Sequence, residues 1–409
     1  MTIILGAGKY GRWIKQAFCK DIDVLFYDND RRMWAKKVDD TEIISLDKLL
    51  EYADNKNNRL IIGSHSDTIL YFTKDINPQC PVFTVKNDKL AEINLHDIGE
   101  INYDNSQSVG EKALVEYTAQ MNEFKLRGMT QAYDHAASFV EFKKKHISVP
   151  EICAIEFTNE CNLKCPNCPN SFLSFHKGYM SDEVFYEILK YMPPYKNDTV
   201  SVHCMGEPLL HPKFLTYLNN MADIGINICI STNGILLNEF MSKQVLAILS
   251  RVNKATFYIS FHTQKSVENW KNFLDIYNFC SNNNNISFYG QVLEHNESQA
   301  HLWLQNIGIM DYYVHPNIRH ITSHSWGGNL KKREKRYSDI EVKNKIRNCY
   351  YLRNNKIIVL WDGSLKACCI DCNATQKCGN IFDFENSFIN KEGYSLCRNC
   401  DPDWMTNYN

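Results

Sequence analysis

Short apolar runs, each followed by a polar stretch of helical character, repeat along much of the chain. In the first 95 residues the runs are TIIL, DVLFY, RLII and PVFTV. Regular alternation of short strands with helices predicts a parallel sheet covered by helices. We therefore expect a small doubly wound α/β domain over residues 1–98.

Residues 99–148 show a different pattern. Leu114, Tyr117, Met121 and Phe124 recur at helical spacing, and the segment ends in the basic run EFKKKH. This spacing predicts an amphipathic helix whose apolar stripe packs on a core. We interpret the segment as a helical connector with solvated charges.

From residue 149 to about 345 the strand–loop–helix pattern returns. The strand candidates are ICAIEF, TVSVHCM, INICIS, TFYISF and ISFYGQV. Between the first two lies SDEVFYEILKYM, a predicted helix with Ser181 as its N-cap. Units of this size predict a parallel sheet or a barrel, with the chemistry on loops that follow the strands.

Composition limits the class of protein. The chain has 409 residues, so two or three domains are expected. Its formal net charge of −2 favours neither nucleic acid nor an anionic membrane as a partner. The apolar runs are too short to span a bilayer, and MTIILGAGKYG becomes glycine-rich too early for a signal peptide. We expect a cytoplasmic protein.

Cysteine is the compositional anomaly. The chain has 16 cysteines, which in a reducing compartment indicate metal or redox chemistry rather than disulfides. Three lie within residues 161–168, and seven more lie between Cys349 and Cys400. Six isolated cysteines are expected to be buried structural thiols: Cys19, Cys80, Cys153, Cys204, Cys229 and Cys280.

The first strand runs into a glycine motif. Gly6, Gly8 and Gly11 have the spacing G-x-G-x-x-G, and Asp28 follows about 20 residues later at the end of the second strand. Such glycines let a phosphate approach a helix N-terminus, and such an acidic residue binds a ribose hydroxyl. With GAGKYG and YDND, the segment resembles the small Rossmann-like domains of polysaccharide- and sugar-modifying enzymes. That resemblance implies NAD or a nucleotide sugar as ligand; a docking module is the alternative.

The loop TNECNLKCPNCP holds Cys161, Cys165 and Cys168 directly after the first strand of the second α/β region. A structural zinc site closes with four ligands, and no fourth Cys or His is near in sequence. A four-iron cubane held by three thiolates instead leaves one iron open to a small molecule. The triad therefore favours an iron–sulfur cluster with an open position.

The Cys-x3-Cys-x2-Cys loop resembles the cluster motif of the radical S-adenosylmethionine (SAM) enzymes. Three further family elements follow in order: MGEPLLHP, STNG and ISFHT. The resemblance implies a partial (β/α)6 barrel and a SAM site. The residues it assigns to SAM are Gly206 and Glu207 for the amino group, Ser231, Thr232 and Asn233 for the ribose, and Ser260 for the carboxylate.

The same resemblance implies the chemistry. An electron from the reduced 4Fe–4S cluster cleaves SAM, and the 5′-deoxyadenosyl radical abstracts hydrogen from a substrate. A reductant such as flavodoxin or ferredoxin supplies the electron. The sequence assigns no catalytic acid or base.

The region 346–409 resembles the SPASM/twitch extension of this family, with GNIFD and Gly363-x4-Cys368 as the matching elements. The match implies an auxiliary 4Fe–4S cluster held by Cys349, Cys368, Cys397 and Cys400. A zinc knuckle formed by the same four cysteines is the alternative.

In having a single auxiliary cluster, the predicted enzyme resembles the twitch-type dehydrogenases, which oxidise an amino-cyclitol. We therefore expect a sugar, amino-cyclitol or nucleotide-sugar substrate. Two alternatives remain open: a maturase-type enzyme that modifies a peptide, and a non-catalytic iron–sulfur sensor or electron carrier.

Overall fold

The computed structural model describes residues 1–7, 9–20, 22–28, 33, 35–62, 73, 76–86, 89–93, 105–171, 176–279, 285–321 and 338–400. Gly8 and Cys280, both named above, lie outside these residues. The chain divides into two compact units. The first comprises the described parts of 1–102 and 336–349, and the second those of 103–335 and 350–402.

The first unit is built on one mixed sheet. Its strands are β1 (Thr2–Leu5), β2 (Val24–Tyr27), β3 (Lys37–Val38), β4 (Thr41–Ile44), β5 (Arg59–Ile62), β6 (Val82–Lys86) and β7 (Lys89–Ile93). Its helices are Lys9–Phe18, Leu46–Ala53 and Asp339–Asn348.

Strand order shows how the first unit is wound. The sheet runs β3-β4-β2-β1-β5-β6-β7, with β4, β2, β1, β5 and β6 parallel. The order reverses between β1 and β5, which is the switch point of a doubly wound sheet. Apolar side chains pack on both faces of the sheet, so its central strands are buried. The sheet has the doubly wound α/β arrangement that the sequence predicts.

Two long helices begin the second unit, Asn105–Leu126 and Thr130–Lys145. The predicted apolar stripe is present, since Tyr117 and Phe124 are fully buried. The expectation that all charges of this segment are solvated is wrong for Lys143. That side chain is buried, and its Nζ donates to the Val149 carbonyl at 2.6 Å and lies 3.5 Å from Glu151.

The second unit contains a nine-stranded sheet. Its strands are β8 (Glu151–Ile155), β9 (Val200–Ser201), β10 (Ile228–Thr232), β11 (Ala255–Ser260), β12 (Ile286–Leu293), β13 (Ile318–Ile321), β14 (Lys356–Val359), β15 (Ser364–Lys366) and β16 (Lys377–Asn380). Its further helices are Asp182–Lys190, Phe214–Asp223, Glu239–Leu249, Gln264–Phe279, Glu297–Asn306 and Tyr350–Arg353.

The strands β8 to β13 are parallel neighbours in chain order. Helices connect consecutive strands, as in a (β/α)6 unit. The outer edge of β8 pairs with β14, followed by β15 and β16, so β8 does not close onto β13. The predicted partial barrel is confirmed. Its sheet continues beyond the first strand, β8, through the C-terminal strands β14, β15 and β16.

A local signal predicts one helix boundary correctly. Ser181 caps the helix Asp182–Lys190, because its Oγ accepts from the Val184 amide at 3.2 Å. The predicted strand TVSVHCM is shorter than expected, with only Val200 and Ser201 paired. No helix in the described ranges has the length and apolarity needed to cross a membrane.

The isolated cysteines mostly follow the prediction. Cys19, Cys80, Cys153 and Cys229 are buried free thiols. Cys204, in the bend after β9, is half-buried as a whole residue, but burial of its thiol raises the pKa to about 12.

Candidate functional site

The three clustered cysteines lie in the loop after β8, at the carboxyl edge of the parallel strands. All three are half-buried free thiols. Turns within the loop hold them, since the Cys168 amide donates to the Cys165 carbonyl at 3.2 Å and the Leu163 amide donates to Cys161 Sγ at 3.4 Å. The loop therefore presents three sulfurs from one short segment.

Burial raises the pKa of each of these three thiols. For Cys165 the neighbouring Cys168 and Cys161 add to the effect, and its pKa rises to about 12. Because each sulfur disfavours charge on the next, a bound cation is needed to hold all three as thiolates at neutral pH.

The donor set of three thiols from one loop fits a four-iron cluster with one open iron. A cubane binds each thiolate through a different iron, so its ligands need not converge on one point. Three mutually interacting sulfurs on one loop meet that requirement.

A histidine outside the predicted set contacts the triad. His262 Nδ1 lies 3.3 Å from Cys165 Sγ, although the two residues are 97 positions apart. Burial lowers the pKa of His262 to about 4, so its imidazole is neutral at pH 7. His262 belongs to the ISFHT element, two residues after Ser260, and that position is the signal that could have identified it.

The second predicted element, MGEPLLHP, is pressed against the cysteine loop. Gly206 has φ +78°, and a Cβ there would lie 2.5 Å from the Thr158 carbonyl oxygen and 2.6 Å from that of Glu160. The amide of Glu207 donates to the same Glu160 carbonyl at 2.8 Å. Only glycine fits this close approach of two backbones.

The Glu207 side chain joins two predicted elements. Its Oε1 accepts from Thr232 Oγ1 at 2.6 Å, and its Oε2 accepts from the Asn233 amide at 2.7 Å. Glu207 is almost fully buried, and burial raises its pKa despite these bonds. Three predicted site residues therefore form one buried hydrogen-bonded group.

That group reaches the cysteine loop. Asn233 Nδ2 donates to Asn162 Oδ1 at 2.7 Å, and Asn162 follows Cys161 directly. Asn233 and Glu207 also influence the pKa of the Cys161 thiol, after the larger effect of burial. Asn162 was not predicted, because its role depends on a contact 71 positions along the chain.

Ser231 and Ser260 lie on adjacent strands of the same edge. The Ser231 amide donates to His203 Nδ1 at 3.1 Å, and burial lowers the pKa of His203 to about 4. Ser260 Oγ donates to Gln291 Oε1 at 2.9 Å. His203 and Gln291 are further site residues that the sequence elements did not contain.

Glu156 supports the edge from below. It follows β8 directly, is buried, and its Oε2 accepts from the Met205 amide at 2.9 Å. Burial raises the pKa of Glu156, while the ammonium group of Lys366 opposes that change. Lys366 is itself buried on β15, so this C-terminal strand supplies a positive charge near Glu156.

In the first unit the glycine motif forms a tight strand–helix turn. Gly6 has φ +110°, and a Cβ on Gly11 would lie 1.9 Å from the Gly6 carbonyl oxygen. Asp28 follows β2, and its Oδ2 accepts from the Ala7 amide at 3.2 Å. Three described residues of the predicted nucleotide motif therefore share one corner of the sheet.

The four proposed auxiliary ligands fall at ends of elements. In the first unit, Cys349 ends the helix Asp339–Asn348. In the second unit, Cys368 follows β15 and is buried, while Cys397 and Cys400 lie in and after the 3-10 segment Ser395–Asn399. None of the four is in a disulfide.

Comparison with known families gives a match at this site. Residues 155–277 match the family model of the radical SAM superfamily. The match includes the cysteine triad, the MGEPLLHP and STNG elements, Ser260 and His262.

Comparison with individual proteins gives more distant matches. The chain is 32% identical over 94 residues to a tungsten-containing aldehyde ferredoxin oxidoreductase cofactor-modifying protein of Pyrococcus furiosus. That match spans 22% of this chain and about a quarter (26%) of the relative.

Two solved structures are similar at low identity. One is BtrN in complex with AdoMet and 2-DOIA, with 18% identity, TM-score 0.39, and coverage of 63% of this chain and 95% of BtrN. The other is Streptococcus suis SuiB bound to S-adenosylmethionine, with 15% identity, TM-score 0.34, and coverage of 73% and 82%.

Proposed function

Because residues 155–277 are a radical SAM domain, we propose that the protein is an enzyme that cleaves SAM reductively and abstracts hydrogen from a small substrate. When bound, a 4Fe–4S cluster supplies the electron for that cleavage and yields the 5′-deoxyadenosyl radical. Cys161, Cys165 and Cys168 are the ligands we assign to it.

One observation carries this proposal: the Glu207 carboxylate bonds both Thr232 and Asn233, and Asn233 bonds the loop of Cys161. Three sequence elements are thus held at one edge of the sheet. These hydrogen bonds order the three elements relative to one another, which limits the entropy lost when a ligand binds.

In this proposal each element has a part. The backbone of Gly206 and Glu207 binds the SAM amino group, and Ser260 orients the carboxylate. Residues 231–233 position the ribose. The buried side chains around them exclude water from a reactive intermediate.

Release of 5′-deoxyadenosine tests the proposal. Anaerobically reconstituted protein, SAM and a strong reductant are expected to give 5′-deoxyadenosine, and a Cys165→Ala variant is expected to give none. Protein that carries iron but releases no 5′-deoxyadenosine would instead be a sensor or an electron carrier.

We extend the proposal to an oxidoreductase of sugars, amino-cyclitols or nucleotide sugars, in which an auxiliary 4Fe–4S cluster takes the electron of the substrate radical. The C-terminal cysteines that match the SPASM/twitch pattern support this part. A flavodoxin or ferredoxin is the proposed reductant. An iron count of about eight per chain supports two clusters, and about four leaves only the first. Peptide modification remains the alternative reaction.

The first unit is proposed to bind NAD or a nucleotide sugar. The turn at Gly6 and Gly11 and the carboxylate of Asp28 support this part. Calorimetric titration with each ligand tests it. A response that Asp28→Ala weakens supports the assignment, and no response to any of them reduces the unit to a docking domain.

A further inference from the structure

The inner face of the open barrel carries an ordered row of polar side chains on its last three strands. Register places Ser260 beside Gln291, and Gln291 beside Arg319. Ser260 Oγ and Gln291 Oε1 are 2.9 Å apart, so the first two are already in contact. Three neighbouring strands therefore present hydrogen-bonding groups at one level.

These side chains face away from the helices. On β11 and β12 the alternate residues Phe257 and Phe288 are buried and pack on Phe273 of the helix Gln264–Phe279, with ring centroids 4.8 and 4.5 Å from it. Since side chains alternate along a strand, Ser260 and Gln291 lie on the opposite face. That face is the interior of the partial barrel.

One level below the polar row is an aromatic pair. Tyr258 and Tyr289 are register partners whose rings stack at 5.7 Å with an interplanar angle of 23°. The guanidinium carbon of Arg319 lies 4.3 Å from the centroid of the Tyr289 ring. Stacking uses the face of a guanidinium and leaves the N–H groups at its edge free to donate.

Arg319 has no counter-charge in the described part of the chain. Its neighbour His320 points to the other face, where its Nε2 lies 3.3 Å from Glu297 Oε2. Among the described residues no carboxylate lies within ion-pair distance of Arg319. Arg319 is exposed, lies over the Tyr289 ring and has no ion-pair partner among the described residues, so its guanidinium edge is available to bind an oxyanion in two-pronged geometry.

We propose that Arg319 and Gln291 bind an oxyanion of the substrate, a phosphate or a carboxylate. This inference deepens the proposed function and rests on it. The Gln291 carboxamide accepts from Ser260, which orients its Nε2 donor, and the two edge N–H groups of Arg319 complete the site. The substrate of the enzyme is therefore an anionic molecule, such as a sugar phosphate or an acidic sugar.

The test compares the reconstituted holoenzyme with Arg319→Gln, and uses Arg127→Gln as a control of equal charge change on the surface. Inorganic phosphate and malonate are titrated calorimetrically into each protein with SAM saturating. We expect at least one anion to bind the wild type and the control, and Arg319→Gln to weaken it at least tenfold. Arg319→Lys is expected to recover only part, because a lysine cannot donate in two-pronged fashion. The stronger of the two anions identifies phosphate or carboxylate as the recognised group.

SAM itself has a carboxylate, so SAM affinity is measured for the same variants. We expect Arg319→Gln to leave it within twofold of wild type. Weaker SAM binding in Arg319→Gln, equal anion binding in Arg319→Gln and wild type, or no anion binding to the wild type would each overturn the inference. Release of 5′-deoxyadenosine by the wild type without substrate is measured separately, and its absence would refute the proposed function rather than this inference.

Discussion

Glu207 Oε2 accepts a hydrogen bond of 2.7 Å from the backbone amide of Asn233. This bond joins the loop that follows β9 to the loop that follows β10. The carboxylate has a second partner in Thr232 and a third in the Leu209 amide, at 3.1 Å. A buried carboxylate with three donors is well satisfied, so the cost of its burial is offset locally.

Replacing Glu207 by glutamine tests this junction. One carboxylate oxygen becomes an amide group that faces an N–H donor, which leaves that donor unsatisfied. We expect a loss of about 1–3 kcal/mol in stability and weaker SAM binding. Denaturant midpoints and SAM titration measure the two effects. Glu239→Gln, on an exposed helix face, is the control and is expected to change neither. A denaturant midpoint of Glu207→Gln equal to that of the wild type would show that Glu207 does not stabilise the contact between the two loops.

Gly206 offers a second test with a matched control. Gly206 and Gly308 have similar positive φ values, +78° and +85°, but only Gly206 faces backbone oxygens within 2.6 Å. We expect Gly308→Ala to cost about 1–2 kcal/mol from strain alone. Gly206→Ala is expected to cost more and to lower SAM affinity, because the loops must separate. Thermal unfolding of both variants measures the difference. Equal losses of stability in the two variants would show that a Cβ at Gly206 can be accommodated beside the Thr158 and Glu160 carbonyl oxygens.

Features that depend on neighbouring residues were predictable from the sequence. The apolar runs predicted most strands of both sheets, since period and length are local signals. Ser181 predicted a helix start for the same reason. The triad loop and the elements at 205–212 and 231–234 predicted which strand ends come together.

Features that depend on distant residues were not predictable. Glu151 pairs with Lys356, 205 positions away, and Cys165 contacts His262 across 97 positions. A single sequence contains no signal for such pairs. The basic run 143–145 looked like a solvated helix end for this reason, although one of its lysines is buried.

Lys143 is expected to be critical for stability. Its Nζ is buried between the Val149 carbonyl and Glu151, and its removal leaves both groups with one partner fewer. We expect Lys143→Met to destabilise the second unit by about 3–5 kcal/mol. Lys144→Met, which removes an exposed ion pair with Glu141, is expected to cost less than about 1 kcal/mol. Chemical denaturation of both variants checks the contrast, and similar midpoints would rule out a structural role for the buried lysine.

The same network predicts an acid dependence. Burial alone would raise the pKa of Glu151, but the ammonium groups of Lys356 and Lys143 lower it below its ordinary value of 4.5. A lowered folded-state pKa contributes stability that is present above 4.5 and is lost as the pH falls through the folded value. We expect Glu151→Gln to be strongly destabilised at pH 7 and to approach the wild type progressively as the pH falls below 4.5. Denaturant midpoints of both proteins across this pH range measure the difference in stability. A difference that does not change with pH would contradict an ionised Glu151 paired with Lys356 and Lys143.

His262 is expected to tune the cluster that we assign to the triad. A neutral imidazole 3.3 Å from Cys165 Sγ can donate an N–H to the thiolate. Such a bond favours the more negative, reduced state of a cluster, so its removal lowers the reduction potential. We expect His262→Phe to keep its iron and to lower the potential by on the order of tens of millivolts. An electron paramagnetic resonance titration of the reconstituted protein measures the shift. His301→Phe is the control, because His301 contacts Gln305 on a helix instead. An unchanged potential in His262→Phe, with full iron content, would show that the imidazole does not donate to the thiolate.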